Sequence, residues 1–169
     1  MSIGPASVPK KIDVEAASVV KGSRYPAPYD EPCRDRQRRR LGDAANLTQF
    51  GVNLMTLPAG AWSSQRHWHT AEDEFIYVLE GELVLVTDAG EEILLPGDCA
   101  GFKAGVAEGH HLQNRTDREV RFLEVGSRRP EDDEVTYPDI DLKSPKGRDG
   151  YAHANGEMYT ETKPRIPGT

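Results

Sequence analysis

Apolar and polar positions alternate in short runs over the middle of this chain, and glycine or proline cuts each run. The stretch FIYVLEGELVLVTDAGEEILLPGD predicts strands over 75–79 and 82–87 around a tight turn at Glu80-Gly81. A second turn at Asp88-Ala89-Gly90 leads to a strand over 91–95. Upstream, LTQFGVNLMTLPAG is a β-prone run that Pro58 and Gly60 stop. Downstream, strands are predicted over 99–102, 110–114 and 120–125. No helical period interrupts the series, so the prediction is an all-β domain, a sandwich or barrel of short strands. With 16 glycines and 12 prolines in 169 residues, turn residues are frequent enough to separate that many strands.

The alternation fades on both sides of this region. Residues 1–46 carry no sustained period and include YPAPYDEP, which predicts an extended, proline-stiffened arm lying on the body. Residues 47–126 form the predicted β domain. Residues 127–169 are rich in charge, proline and glycine and predict an irregular extension with little core of its own. Tyr137, Tyr151 and Tyr159 could pin that extension to the body or to a neighbouring subunit, or leave it a loosely attached tail.

Charge narrows the classes of partner. The formal net charge of −7 supplies no global basic field, so neither nucleic acid nor anionic lipid is expected as a partner. Arg34 to Arg40 places five arginines in seven residues, a run that offers phosphate contacts. In an acidic chain the preferred reading is a solvated edge strand kept soluble by charge. No apolar run approaches the roughly 20 residues that span a bilayer. The opening MSIGPASVPKKIDVEAA shows no signal-peptide core, and a cytoplasmic location is expected. Cys33 and Cys99 lie far apart without CxxC spacing and are expected as free thiols.

The candidate chemistry is concentrated in GAWSSQRHWHTAEDEFIYVLEG, residues 60–81. His67 and His69 are two apart, so in an extended strand both point to one face while Trp68 points away. Glu74 follows five residues after His69. Two neutral imidazoles and a carboxylate suit one divalent first-row metal such as zinc, iron, manganese or nickel, and ligand type alone does not choose among them. Gln65 shares the face of His67 and is expected as an exposed edge residue. No serine nucleophile elbow, phosphate-binding glycine loop or hydride-cofactor fingerprint occurs.

Taken together, Gly60, His67, His69, Glu74 and Gly81 resemble the first motif of the cupin superfamily, with one residue more than usual between Gly60 and His67. That family's second motif runs glycine, five residues, PxG, two residues, histidine, three residues, asparagine. Gly97 and Gly105 fit it, Lys103 stands where the proline is expected, and Glu108 occupies the histidine position. Two extra residues in this loop would restore the end of the motif as His110, three residues, Asn114, and make His110 the fourth ligand. A one-residue slip of register would substitute His111. The resemblance covers about residues 47–126 and implies a double-stranded β-helix, the jelly-roll cupin barrel, with irregular N- and C-terminal extensions. It implies a metal held by His67, His69, Glu74 and His110 at one mouth of the barrel. With Glu74 inward, Ile76 and Val78 point inward too, and Phe75, Tyr77 and Leu79 face out. That outer face needs a cover, and because cupins are often dimers a homodimer is expected.

What such a site would do follows from its open positions. Three histidines and one glutamate leave an octahedral ion two free positions at which to polarise an oxygen or, if the metal is iron, to bind dioxygen. The resemblance is nearest to small single-domain cupins that look like phosphomannose isomerases. It implies a small-molecule substrate, with isomerisation of a sugar or sugar phosphate as the leading reaction. An iron-dependent dioxygenase and a non-enzymatic module that binds a small ligand are the alternatives. A phosphate group would require cations converging on the pocket, and near the motifs only Lys103 and Arg66 qualify. Arg66 is predicted to face away from His67, which weakens the phosphate version.

Overall fold

The computed structural model describes residues 11–161. The first ten residues of the opening segment, on which the signal-peptide reading partly rests, lie outside the described residues, as do the last eight of the C-terminal extension. Among the described residues no helix is long and apolar enough to cross a membrane.

Twelve short strands occur among the described residues. β1 is Val19–Lys21, β2 Gln37–Arg40, β3 Phe50–Leu57, β4 Trp68–His69, β5 Glu74–Glu80 and β6 Leu83–Thr87. β7 is Gly90–Leu94, β8 Cys99–Phe102, β9 His110–Gln113, β10 Val120–Ser127, β11 Val135–Tyr137 and β12 Leu142–Ser144. In β5 the period of two sends Ile76 and Val78 inside, at 4% and 0% exposed. Phe75, Tyr77 and Leu79 stand outside at 42%, 40% and 45%, as the sequence predicts.

One sheet has the order β1-β2-β3-β10-β5-β8, and a second has the order β7-β6-β9. Met55 and Leu57 from β3, Ile76 and Val78 from β5, and Val120 and Phe122 from β10 meet Leu83, Leu85, Leu94 and Leu112 from the second sheet in one buried cluster. Burying each such side chain is worth about 1.5–3 kcal/mol, which makes this shared core the principal force holding the two sheets together. A third small sheet, β12-β11-β4, is tied to β9 through bridges from Trp62 to Gln113 and from His67 to His110. The result is the jelly-roll arrangement expected.

Asn114 closes the second motif from inside. Its amide donates to the carbonyls of Leu57 and Arg118 at 2.8 and 2.6 Å, and its Oδ1 accepts from the backbone N–H and hydroxyl of Thr116. It therefore fastens the β9–β10 turn to β3.

The extensions are largely irregular, yet each adds two short strands. β2 pairs with β1 on one side and β3 on the other, so the arginine run is an interior strand rather than the solvated edge expected from composition. Arg39 points to one side, where it bonds the carbonyls of Val14 and Glu15. Arg38 and Arg40 face the other side, in line with Arg36, which is buried. The two extensions share a second cluster of Tyr25, Cys33, Tyr137 and Leu142, with Tyr151 and Tyr159 packed against it. Of the alternatives for those tyrosines, packing on the body is the one observed.

Candidate metal centre

Three short segments deliver four side chains to one point. His69 lies on β4, His67 just precedes it and bridges to His110 at the start of β9, and Glu74 opens β5 between its neighbours Gly126 of β10 and Phe102 of β8. The Nε2 atoms of His67, His69 and His110 lie 3.5, 3.4 and 3.0 Å from the same Oε2 of Glu74. The sequence placed these four residues together on spacing and resemblance, and the fold brings them together.

Hydrogen bonds at the far nitrogens decide what faces the carboxylate. His67 Nδ1 lies 2.9 Å from the carbonyl of Gln65, which only accepts, so Nδ1 carries the proton. His69 Nδ1 lies 2.6 Å from the Asp133 carboxylate and is fixed in the same way. In the neutral form of each ring the Nε2 lone pair is aimed at the Glu74 carboxylate. Either protons or a metal ion can sit among these atoms, and two histidines and a carboxylate are the donor types of a divalent first-row metal. The residues present fit such an ion. His110 is held differently, with Phe102 stacked on its ring at 3.5 Å and its Nδ1 buried without a partner among the described residues.

His111 is excluded from this cluster. Its Nδ1 donates to the carbonyl of Ser64 at 3.0 Å, its Nε2 meets the Gln113 amide, and Trp62 packs edge-on against its ring. Burial pushes its pKa down to about 4, against the pull of the Ser64 bond. Gln65, expected on an exposed edge, is buried and donates to the carbonyl of Tyr29.

The electrostatics fit a site built for positive charge. Burial would raise the carboxyl of Glu74, but hydrogen bonds from His110 and His67 and the charge of the imidazoles hold it well below the usual range. Burial pulls His69 down, yet Asp133 and Glu74 lift it to about 9, so with protons alone the cluster retains a cation. Asp133 itself is buried and fixed on its other side by the backbone N–H of Ala71 at 2.8 Å. Sequence reasoning missed Asp133. Its only signal was a place two residues before β11, whose Val135 and Thr136 pair with His69 and Trp68 of β4.

His67, His69 and Glu74 border a cavity of about 740 Å³, and His110 lies on the side of a smaller cleft. One wall carries His67, His69, Glu72 and Glu74, and Tyr25, Tyr137 and Tyr151 lie beside it. A smaller cleft of about 180 Å³ opens on the other side of His69, Glu72 and Glu74, where Lys103 and Glu108 lie. Arg66 is turned away as predicted, clamped by Asp139 and Asp88. The remaining lining of the larger cavity includes Arg24, Arg34, Arg36, Arg38, Arg40 and Arg128. The expectation that Lys103 and Arg66 were the only cations near the pocket is therefore corrected. The missing cations come from a strand that composition had assigned to solvent.

A family model described as Cupin domain matches residues 53–126. The crystal structure of a sugar phosphate isomerase from a cupin superfamily, from Silicibacter pomeroyi, is 43% identical and superposes with a TM-score of 0.82, covering 89% of this chain and 96% of that one. The chain belongs to the cupin superfamily. A second cupin-like structure, provisionally named a sugar phosphate isomerase and coming from Acidithiobacillus ferrooxidans, is 28% identical with a TM-score of 0.65, covering 83% of each chain. The polyketide cyclase RemF of Streptomyces resistomycificus, 23% identical with a TM-score of 0.60 over 78% of this cupin and 86% of that chain, shares the fold. A search of curated proteins finds no match. Cupins typically bind a metal, and in this one His67, His69 and Glu74 form one candidate ligand group, while His69, Glu72 and Asp133 form a second that shares His69.

Proposed function

We propose that this cupin is a metal-dependent isomerase of a small sugar, with the ion held by His67, His69, Glu74 and His110. The observation that carries the reading is the convergence of three imidazoles and one carboxylate beside a concave cavity sized for a small molecule. The relative that is 43% identical over nearly the whole chain bears the name sugar phosphate isomerase, which supports the same class.

Interconverting an aldose and a ketose moves a proton between adjacent carbons and needs polarisation of the neighbouring oxygen. A divalent ion, when bound, supplies that polarisation as a Lewis acid. Glu72 is placed to move the proton. It lies next to His69, borders both cavities, and is half-buried with one oxygen accepting from the backbone N–H of Arg129. Burial raises its carboxyl above the usual range, opposed by the Arg129 bond, and upward is the direction a proton-transferring carboxyl needs. Zinc, iron, manganese and nickel all suit the donor set, and the choice among them belongs to experiment.

The test is a panel of aldose and ketose sugars and their phosphates, incubated with protein loaded separately with each metal and followed for interconversion. Interconversion that is lost in Glu72→Gln with metal content retained supports the reading. Oxygen uptake by the iron form without interconversion would replace it with a dioxygenase. A ligand-dependent thermal shift with no turnover by any metal form would replace it with a binding module.

A further inference from the structure

The geometry points to a second recognition element in the same cavity: Arg36, Arg38 and Arg40 of the β2 region, with Arg128, form a subsite for the phosphate group of a phosphorylated small molecule. That the carrier of the phosphate is a sugar rests on the isomerase reading; the anion subsite itself does not.

Strand periodicity builds the subsite. β2 is an interior strand, and successive even positions send Arg36, Arg38 and Arg40 to the cavity side, where Arg128 joins them from beyond the end of β10. An interior strand that turns guanidinium groups at alternate positions into a concave cavity directs their charge at whatever occupies it. The charge has to be answered inside.

The carboxylates within reach answer only part of it. Arg40 and Arg128 both pair with Asp43, so one carboxylate serves two guanidiniums. Arg38 shares Glu124 with the amide of Asn53. Arg36, only 8% exposed, is held by the carbonyls of Gly22 and Ser63, which position it without neutralising it. Four guanidiniums therefore share two paired carboxylates, Asp43 and Glu124, with Glu74 acting on Arg38 as well, and this surplus of guanidiniums over paired carboxylates suits a phosphate group. Two cavity-lining residues also carry unmet buried donors, Arg38 at Nε and Ser23 at Oγ. Planar guanidiniums that already make one set of bonds and keep further N–H groups for a tetrahedral anion are the usual hardware of phosphate recognition. The site is concave and fits a small molecule, whereas a nucleic-acid backbone would need an extended basic surface that a chain of net charge −7 does not provide.

The experiment is calorimetric titration of the full chain with inorganic phosphate at low ionic strength, on metal-loaded and chelator-stripped protein, for wild type, Arg38→Gln, Arg38→Lys and Arg40→Gln. Expected is saturable binding that survives metal removal, weakens at least tenfold in Arg38→Gln and Arg40→Gln, and is only partly restored by Arg38→Lys. Should Arg38→Gln fail to fold by circular dichroism, Arg40→Gln decides alone. Affinity unchanged in the arginine variants, or binding that disappears with the metal and ignores those variants, overturns the subsite and assigns the phosphate to the ion. Arginine-dependent phosphate binding without sugar interconversion supports the subsite while removing the isomerase reading, so the two failures are distinguishable.

Discussion

Replacing Asp133 with asparagine tests how far the proposed metal centre depends on the carboxylate that hydrogen-bonds His69 from outside the His67, His69 and Glu74 group. The two oxygens of Asp133 accept from opposed donors, His69 Nδ1–H at 2.6 Å and the Ala71 N–H at 2.8 Å. An amide offers one acceptor and one donor in the same space, so either His69 or Ala71 loses its partner. If the oxygen stays on Ala71, the amide N–H faces Nδ1 and drives the imidazole toward the tautomer whose Nε2 carries the proton, which removes the lone pair a metal needs. If the oxygen turns to His69, the ring keeps its tautomer but loses the carboxylate charge that makes it basic, and a buried N–H is stranded at about 1–3 kcal/mol. Loss of such a supporting partner typically weakens metal binding by about 10–100-fold. At roughly 1.4 kcal/mol per decade this is about 1.4–2.8 kcal/mol. The assay is competition of wild type and Asp133→Asn against a chromophoric chelator with zinc at pH 7.5, alongside circular dichroism to establish that the variant is folded. A folded variant whose zinc affinity stays within twofold of wild type would falsify the assignment of Asp133 as the residue that positions His69.

Two glycines of the first motif should respond unequally to alanine. A Cβ at Gly81, where φ is +83°, would meet a methyl of Val120 at 2.7 Å, so Gly81→Ala should combine αL strain with a clash and lower stability by about 2–4 kcal/mol. Gly60 has φ +77° but open space around it, so Gly60→Ala should cost only about 1–2 kcal/mol; equal losses in chemical denaturation would refute the packing argument. His111 gives a pH signature. Its folded pKa of about 4 lies below the ordinary 6.5, so it favours folding above pH 6.5 and that contribution is lost as pH falls toward 4. Between pH 7.5 and 5, wild type should lose about 2 kcal/mol more stability than His111→Asn, and parallel pH profiles would contradict the buried, neutral imidazole.

The strands from β5 to β10 were legible to within a residue or two because apolar alternation and turn residues act locally. Ile76 and Val78 went inward and Phe75, Tyr77 and Leu79 outward for that reason alone. The first-motif histidines were equally legible, since His67 and His69 owe their common face to spacing. The side of the arginine strand that turns inward was not legible, because hydrophobicity cannot rank Arg38 against Arg39 when both are charged. Only pairing with β1 and β3 settles which of them lines the cavity. Asp133 was hidden similarly, in an acidic run whose composition resembles solvated loop, and its role exists only because β11 pairs with β4. Tyr25, Tyr137 and Tyr151 meet across more than a hundred residues of chain, a long-range contact that no local pattern encodes.

The most direct test of the account is metal content. Wild-type protein and the His67→Ala, His69→Ala double variant are equilibrated with zinc, dialysed against metal-free buffer, and assayed by mass spectrometry for bound metal. The account predicts close to one ion per chain in wild type and near loss of it in a folded double variant; equal metal content in the two proteins would contradict it.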